Sequence, residues 1–259
     1  MASYQARLLL MLSQLCTALR FLTILPVTWR AADDPNQFRA SMAYFPVIGG
    51  FIGLVGSLAA AALLLIFPQQ VVVVLILIYL GLISGFLHLD GLSDSADGLL
   101  SSRPREDSLN IMRDSRAGAM GVIAVVCVML LKYGALSAMD SERLCRAVFF
   151  MPLAGRSGIL LAMACLPYAR PEGGLGRLFY SKSSRKAAWL ALLVLFILLA
   201  ALAPSQCLFT LIIILAVNFV FGRWCRGRLG GATGDTLGAV SELTEAATAV
   251  AFSVSLSLF

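Results

Sequence analysis

The sequence contains few charged residues for its length. Of its 259 residues, 13% are Asp, Glu, Lys or Arg, against roughly a quarter in soluble domains, and 59% are hydrophobic. The mean hydropathy is +0.89. The charged residues are gathered into short stretches, and the long uncharged runs between them are typical of membrane-spanning helices. This pattern excludes a water-facing globular domain and predicts an integral membrane protein.

Paired cysteines and clustered histidines are also absent. None of the six cysteines belongs to a C-x-x-C pair, and most lie in apolar runs, where cysteine behaves as a small hydrophobic residue. The single histidine is His88. We therefore predict neither a disulfide framework nor a zinc site.

Acidic residues are fewer than basic residues, and the net charge is +6. The Lys and Arg residues lie beside the apolar runs, and no basic stripe with interleaved aromatic residues is present. We therefore interpret the basic excess as a sign of membrane topology and expect no nucleic-acid partner.

About seven apolar segments follow one another along the chain. They lie at Leu8–Leu25, Met42–Phe67, Val71–Leu89, Ala119–Ala138, Ala147–Leu166, Ala187–Ala203 and Cys207–Phe221, and a last stretch, Leu237–Phe259, is apolar after two acidic residues. Residues 1–25 are interpreted as a retained membrane segment, because Arg20 interrupts the apolar run and no small-residue cleavage pattern precedes Pro26. This first segment either spans the membrane or forms an interfacial or re-entrant helix. The second contains glycines at a spacing that lets a neighbouring helix approach closely: Gly49, Gly50, Gly53 and Gly56.

The loops between the segments alternate in their content of basic residues. Three loops lack a strong positive bias, namely Pro68–Gln70, Met139–Arg146 and Pro204–Gln206. The loops between them contain basic clusters at positions 103–116, 170–186 and 223–228. Because this alternation follows the positive-inside rule, we expect the basic loops to face the cytoplasm. The predicted fold is all-α, a polytopic integral membrane helical bundle forming one transmembrane domain over residues 1–259, with no soluble domain.

The main chemical signal follows the third apolar segment, in the stretch from His88 to Gly98. Asp90, Asp94 and Asp97 stand at i, i+4 and i+7, so they share one face of a helix. Carboxylates stacked in this way repel one another, and hard divalent cations such as Mg²⁺ prefer oxygen ligands. A solvated face at the membrane rim and an ion-coupled transport path are the alternatives to a metal site.

Two further polar clusters lie on the same predicted side of the membrane. The first consists of four residues just before a predicted helix: Arg113, Asp114, Ser115 and Arg116. Arginine guanidinium groups match phosphate oxygens and so indicate a phosphate site. The alternative is that these arginines only flank a membrane helix, as the positive-inside rule predicts. The second is a Gly-rich turn with Thr233 and Asp235, followed by Glu242 and Glu245. This turn is not a Walker A loop, but it presents backbone N–H groups to an anion. The three clusters together indicate one composite active site. His88 is interpreted either as a satisfied polar group or as a contact to substrate or metal-bound water.

These motifs closely resemble those of the cobalamin synthase family, also called the adenosylcobinamide-GDP ribazoletransferase family, over essentially the whole chain. The matching stretches are 88–98, 112–118 and 231–235. The resemblance implies a Mg²⁺-dependent enzyme of the bacterial cytoplasmic (inner) membrane, with its active site toward the cytoplasm. It joins α-ribazole, or its 5′-phosphate, to adenosylcobinamide-GDP and releases GMP in the last step of nucleotide-loop assembly. The expected partners are these small molecules and membrane lipid, and the sequence leaves open whether the protein is a monomer or a homo-oligomer.

Roles for the motif residues follow from this resemblance. Mg²⁺ held by Asp90, Asp94 and Asp97 would neutralise charge on the phosphates, and Arg113 and Arg116 would clamp them. The catalytic base would be Asp114, Asp235 or an aspartate of the first motif. Ser115, Thr233 and His88 would contact substrate, and Glu242 and Glu245 would complete a second metal position or hold the ribazole. A looser similarity to membrane CDP-alcohol phosphotransferases extends to the type of chemistry alone.

A cation-coupled membrane transporter is the alternative function. It would place acids near the bilayer midplane, on broken helices, in a chain with two matching halves. In this sequence the acids cluster at one membrane edge and the halves show no clear match. Release of GMP separates the two functions, because a transporter would produce none.

Overall fold

The computed structural model describes residues 2–28, 35–170 and 184–255, and within these ranges it contains helices and no named strand. The helices are α1 (Ala2–Leu22), α2 (Pro35–Ser41), α3 (Phe45–Leu63), α4 (Gln69–Ile83), α5 (Leu87–Leu100), α6 (Arg105–Ile111), α7 (Ala119–Ser137), α8 (Ser141–Cys165), α9 (Ser184–Leu202), α10 (Pro204–Leu229) and α11 (Gly234–Ser253), with a 3₁₀ turn at Met42–Tyr44. The all-α prediction is confirmed. Arg177 and Lys182 of the second basic loop, and the end of the last predicted segment after position 255, lie outside the described residues.

Several of these helices are long and apolar enough to cross a membrane. Among the described residues there are five, namely Phe38–Leu63, α7, α8, Arg185–Leu202 and α10, or six if α4 and α5 form one bent span. Neither α1 nor α11 is among them. Instead, α11 is buried along most of its length, because α5, α7, α8 and α10 pack around it. The chain is therefore a multi-pass membrane protein with α11 as its innermost helix.

The predicted third segment, Val71–Leu89, is not one continuous helix. It breaks between α4 and α5, whose axes differ in direction by 87°. Gly85 and Phe86 both adopt left-handed backbone conformations with φ of 58°, and such a conformation ends a helix. Glycine tolerates it without steric cost, whereas Phe86 has a Cβ. The bend starts a new helix one residue before His88, and this helix contains all three aspartates of the first motif.

The glycines of α3 let this helix approach α8 closely, as the sequence predicts. A Cβ added at Gly49 or Gly53 would overlap the backbone carbonyl group of Pro152 or Phe149. Small residues at a helix interface permit this approach of backbones in a membrane, where the hydrophobic effect does not drive helices together. Gly50 lies on another side of α3, where an added Cβ would come no closer than 3.9 Å to any neighbour.

Replacing Gly53 by alanine is expected to destabilise the protein, because the new methyl group can be accommodated only by moving α3 away from the α8 backbone. We expect a loss of about 1–3 kcal/mol, the usual cost of overpacking. Gly50→Ala is the matched control, since it adds the same methyl group to the same helix in open space. Thermal unfolding in detergent would measure both, and equal midpoints for the two variants would contradict the packing argument.

The two kinds of loop are gathered at opposite ends of the bundle. At one end, the Gln69 side chain donates a 2.6 Å hydrogen bond to the carbonyl oxygen of Met139, which joins two of the turns poor in basic residues. At the other end, the Arg105 guanidinium donates to the carbonyl oxygens of Leu229 at 2.7 Å and Ala169 at 2.5 Å. Arg105 thus ties the three basic loops to one another at this end, where α5 with its first motif also leads into the loop that carries the second motif.

Candidate active site

The first and third motifs meet because α5 and α11 approach each other without intervening side chains. A Cβ added at Gly91 would lie 2.7 Å from the carbonyl oxygen of Asp235, and one added at Gly238 would lie 3.3 Å from the Cα of His88. As a result, Asp94 interacts electrostatically with Asp90, Asp97 and Asp235, and also with Arg170. The structure thus brings the aspartates of the first and third motifs close to one another.

Asp97 connects the first motif to the second. Its two carboxylate oxygens accept hydrogen bonds from the backbone N–H groups of Gly118 and Gly121, each at 2.8 Å. These amides belong to the first turn of α7, where N–H groups have no partner within the helix and a negative charge is stabilising. The glycine backbone at the start of α7 is therefore occupied by the Asp97 carboxylate. Asp97 therefore fixes α5 to the start of α7.

The remainder of the second motif lies on the surface. The exposed Arg116 donates hydrogen bonds to both carboxylate oxygens of Asp114, the shortest of them 2.6 Å long. These bonds, together with one from the Arg116 backbone N–H, lower the pKa of Asp114 to about 2. Ser115 and Arg113 are also exposed, and Arg113 acts electrostatically on Tyr168. Arg113 thus lies near enough to Tyr168 to interact with it electrostatically, whereas Asp114 and Arg116 pair with each other.

Thr233 is the N-cap residue of α11, immediately before Gly234, and is fully buried. Its hydroxyl oxygen accepts a hydrogen bond from the Thr236 N–H at 3.2 Å, and its own N–H donates to the Thr236 hydroxyl at 2.7 Å. This reciprocal capping satisfies the first turn of the helix, so the structure gives Thr233 a part in forming α11.

Asp235 follows in the first turn of α11, outside the helices that can span the membrane. Arg170 donates a 2.8 Å hydrogen bond to its carboxylate. Burial raises the pKa of Asp235, and the nearby Arg170 guanidinium opposes part of that rise. Arg170 was singled out in the sequence only as a loop charge, since a single basic residue in a basic loop carries no signal of its partner.

A cavity of about 260 Å³ opens between α5, α8 and α11. Its walls combine apolar and polar side chains from distant parts of the chain: Phe21, Phe45, Leu87, His88, Asp90, Ile159, Met163, Tyr168, Arg170, Asp235 and Leu237. Burial raises the pKa of Tyr168. Of the predicted site residues, His88, Asp90 and Asp235 line this cavity.

Glu242 and Glu245 do not reach the cavity. The Lys132 ammonium group binds both carboxylates, at 2.6 Å and 2.8 Å, and Arg156 forms a second ion pair with Glu245. All four side chains are at most 8% exposed. The hypothesis that these glutamates complete a metal position or hold ribazole therefore lacks geometric support, since their charges are already balanced by Lys132 and Arg156.

These two cations were not predicted from the sequence to belong to a polar cluster. Each stands alone in a predicted apolar segment, Lys132 in Ala119–Ala138 and Arg156 in Ala147–Leu166. An ionisable residue inside a membrane helix is costly and is usually paired with another. That rule, applied to both segments, would have predicted partners for Glu242 and Glu245.

The aspartates of the first motif are the candidate ligands for magnesium. In the parts of the chain that the structure describes, no group of three or more His, Cys, Asp and Glu side chains is spaced to hold a metal ion. Both oxygens of Asp97 are engaged by backbone amides. Asp90 and Asp94 remain, with hard oxygen donors and the surrounding negative charge of Asp235. This donor set fits Mg²⁺, which is commonly bound by one or two carboxylates and completed by substrate phosphates.

Comparisons with known proteins show which family the chain resembles. The profile of the cobalamin-5-phosphate synthase family matches residues 14–253. An adenosylcobinamide-GDP ribazoletransferase of Pseudomonas putida is 38% identical over 240 residues, covering 92% of this chain and 98% of the relative. One of Acetivibrio thermocellus is 34% identical over 242 residues, covering 93% and 95%. No solved structure matched the chain.

Proposed function

Because the chain belongs to the cobalamin-5-phosphate synthase family, we propose that it is a membrane-bound adenosylcobinamide-GDP ribazoletransferase, an enzyme of cobalamin biosynthesis. Its reaction would join α-ribazole, or α-ribazole 5′-phosphate, to adenosylcobinamide-GDP with release of GMP. The observation that carries the proposal is the convergence of Asp90, Asp235 and Arg170 in the wall of one cavity, with Asp94 close enough to interact electrostatically with all three. The positive-inside rule supports a site that faces the cytoplasm of the bacterial inner membrane.

The proposed reaction is an attack on a pyrophosphate. A ribose hydroxyl oxygen of α-ribazole, other than O5′ because that oxygen is already substituted in the 5′-phosphate, forms a bond to the phosphorus next to cobinamide. The bridging P–O bond breaks, and GMP leaves with the bond electrons. Transfer of this kind depends on positioning and on stabilisation of charge at the phosphate oxygens. Arg170 lies in the cavity wall, and Arg113 acts on the neighbouring Tyr168. We assign these two guanidinium groups to the phosphates, since arginine forks match phosphate oxygens.

Asp90 and Asp94 are the residues that would hold Mg²⁺. When bound there, the ion would neutralise charge on the transferring phosphate. Asp97, in this proposal, supports the site by fixing α5 to α7 through the Gly118 and Gly121 amides.

Asp235 is the stronger candidate for the base that accepts the hydroxyl proton. It lines the cavity, and burial raises the pKa of its carboxyl group. Asp114 is the weaker candidate, because its pKa of about 2 leaves it with little affinity for a proton and Arg116 occupies both of its oxygens. Proton transfer is most efficient when the pKa of the base approaches the working pH, which favours Asp235.

One observation favours the transporter alternative. The α4–α5 pair is bent by 87°, and broken helices carry ion sites in many transporters. However, the charged residues deep in the bundle are paired with one another, and the aspartates of α5 meet the basic loops at one end. The geometry therefore supports the transferase better.

Release of GMP tests the proposed function. Purified protein in detergent, given adenosylcobinamide-GDP, α-ribazole and Mg²⁺, is expected to release GMP and form a corrinoid phosphodiester in equal amounts. A chelator is expected to stop release, and added Mg²⁺ to restore it, because the carboxylates and phosphates would otherwise repel each other. Protein that unfolds cooperatively but releases no GMP would contradict the proposal, and ion-flux measurements in vesicles would then test the transporter.

A further inference from the structure

The cavity has a polar side and an apolar side. Asp90, Arg170 and Asp235 contribute charges, and these side chains are at least partly exposed. The remaining wall is dominated by Phe21, Phe45, Ile159, Met163 and Leu237, none of which offers a side-chain hydrogen bond. A ligand that fills this cavity therefore needs one apolar part and one part that carries hydroxyl or phosphate groups.

His88 is the polar exception on the buried side. It is only 3% exposed, and its buried Nδ1 atom has no hydrogen-bond partner. Leaving such an atom unsatisfied costs free energy, so His88, which lines the cavity, gains a hydrogen bond if its ring turns to present this nitrogen to a ligand. Lys132, Arg156 and Glu245 all act electrostatically on the imidazole, but none of them bonds to it. A ligand with one hydrogen-bonding atom in an otherwise apolar body would supply the partner.

The aromatic rings in the cavity wall favour a ligand with a flat apolar part. Phe21 and Phe45 stack on each other with ring centroids 5.8 Å apart and an angle of 13° between their planes. Planar aromatic ligands pack favourably against such rings in offset or edge-to-face geometry. The two phenylalanines belong to α1 and α3, so the N-terminal helix contributes directly to the cavity.

On the basis of the proposed function, we propose that this cavity binds the acceptor nucleoside, with its aromatic base on the apolar side and its ribose toward Asp90, Arg170 and Asp235. The base of α-ribazole is dimethylbenzimidazole, which has an apolar ring edge and one free ring nitrogen. That nitrogen accepts a hydrogen bond from the imidazole of His88. The nucleoside hydroxyl then lies on the carboxylate side of the cavity.

The other parts of the two substrates fit this cavity less well. Guanine carries several polar groups on its edge, and the apolar wall would leave most of them without partners, at a cost for each. A corrin ring is far too large for about 260 Å³. The guanosine diphosphate and corrinoid portions are therefore assigned to the exposed surface near Arg113 and Arg170, outside the apolar part.

Direct binding of α-ribazole, without the second substrate, tests this assignment separately from turnover. Isothermal titration of the protein in detergent is expected to show binding, with free dimethylbenzimidazole as a competitor and guanosine as a non-competitor. His88→Phe keeps a ring but loses the hydrogen bond, and is expected to raise the Kd of α-ribazole about tenfold. Met163→Phe fills part of the apolar side of the cavity with a larger side chain, so it is also expected to raise the Kd of α-ribazole.

Leu161→Phe is the matched control. It lies on the same helix as Met163 but lines a different groove, between α8 and α10, so the Kd should not change. In turnover, His88→Phe and Met163→Phe should raise the KM for α-ribazole and leave the KM for adenosylcobinamide-GDP unchanged. Two outcomes would overturn the assignment of the cavity to α-ribazole even if GMP release is intact. One is competition by guanosine, and the other is an equal α-ribazole Kd for the wild type and both cavity variants. Absence of GMP release from a protein that still binds α-ribazole in this pattern would instead reject the proposed function.

Discussion

Glu245→Gln is expected to lower the free energy of unfolding by about 3–5 kcal/mol, the usual cost of removing one partner from a buried ion pair. Glu245 binds both Lys132 and Arg156, and each cation is about 2% exposed. Glutamine has nearly the same shape, but it leaves two buried positive charges opposite Glu242 alone. Desolvation of the uncompensated charge, rather than loss of packing, is the source of the effect.

Unfolding by heat or denaturant in a fixed detergent would measure this loss. Glu142→Gln is the control, because it makes the same chemical change in a largely exposed pair with Arg146 and should hardly move the midpoint. The double variant Lys132→Met with Glu245→Gln removes one charge of each sign, so it should be more stable than the sum of its single changes predicts. Equal midpoints for Glu245→Gln and Glu142→Gln would show that the buried charges are compensated in another way.

Asp94→Asn is expected to reduce GMP release by about 100- to 1,000-fold, the range found when one electrostatic contribution to a transition state is removed. The variant keeps the size of the side chain but loses the charge that would bind Mg²⁺. It is not expected to destabilise the fold. Asp94 lies near Asp90, Asp97 and Asp235, so removing its charge relieves repulsion among like charges.

Lower activity together with an unchanged or higher unfolding midpoint is therefore the combination that identifies a catalytic role. Asp107→Asn serves as the control, since Asp107 is an exposed aspartate at the start of α6, on the same end of the bundle. It should keep the rate of the wild type. A wild-type rate for Asp94→Asn would remove Asp94 from the metal site, whereas a lower rate caused by a lower midpoint would indicate a structural role.

The helices and the grouping of charges were predictable from the sequence because both depend on local patterns. Uncharged runs gave the helices of the bundle, and the i, i+4, i+7 spacing gave the aspartate face of α5. The glycines of α3 correctly indicated a close helix contact, since only small residues leave room for a neighbouring backbone.

The features that were not predicted depend on contacts between distant residues. The break at Gly85 and Phe86 was missed because the apolar run continues through it, and one glycine is a weak signal of a bend. The capping of α7 by Asp97 joins residues 21 positions apart in the sequence. The partner of Asp235, Arg170, comes from a loop, and the partners of Glu242 and Glu245 come from two other helices.

The central position of α11 has a consequence for how the protein is made. Synthesis proceeds from the N-terminus, so α7 and α8 leave the ribosome well before Gly234–Ser253 does. Until then, Lys132 and Arg156 lack the two glutamates that bind them, and the wall of the cavity that includes Asp235 and Leu237 does not exist. The pairing of these two cations and the completion of the cavity wall therefore both depend on the helix that is made last of those in the described bundle.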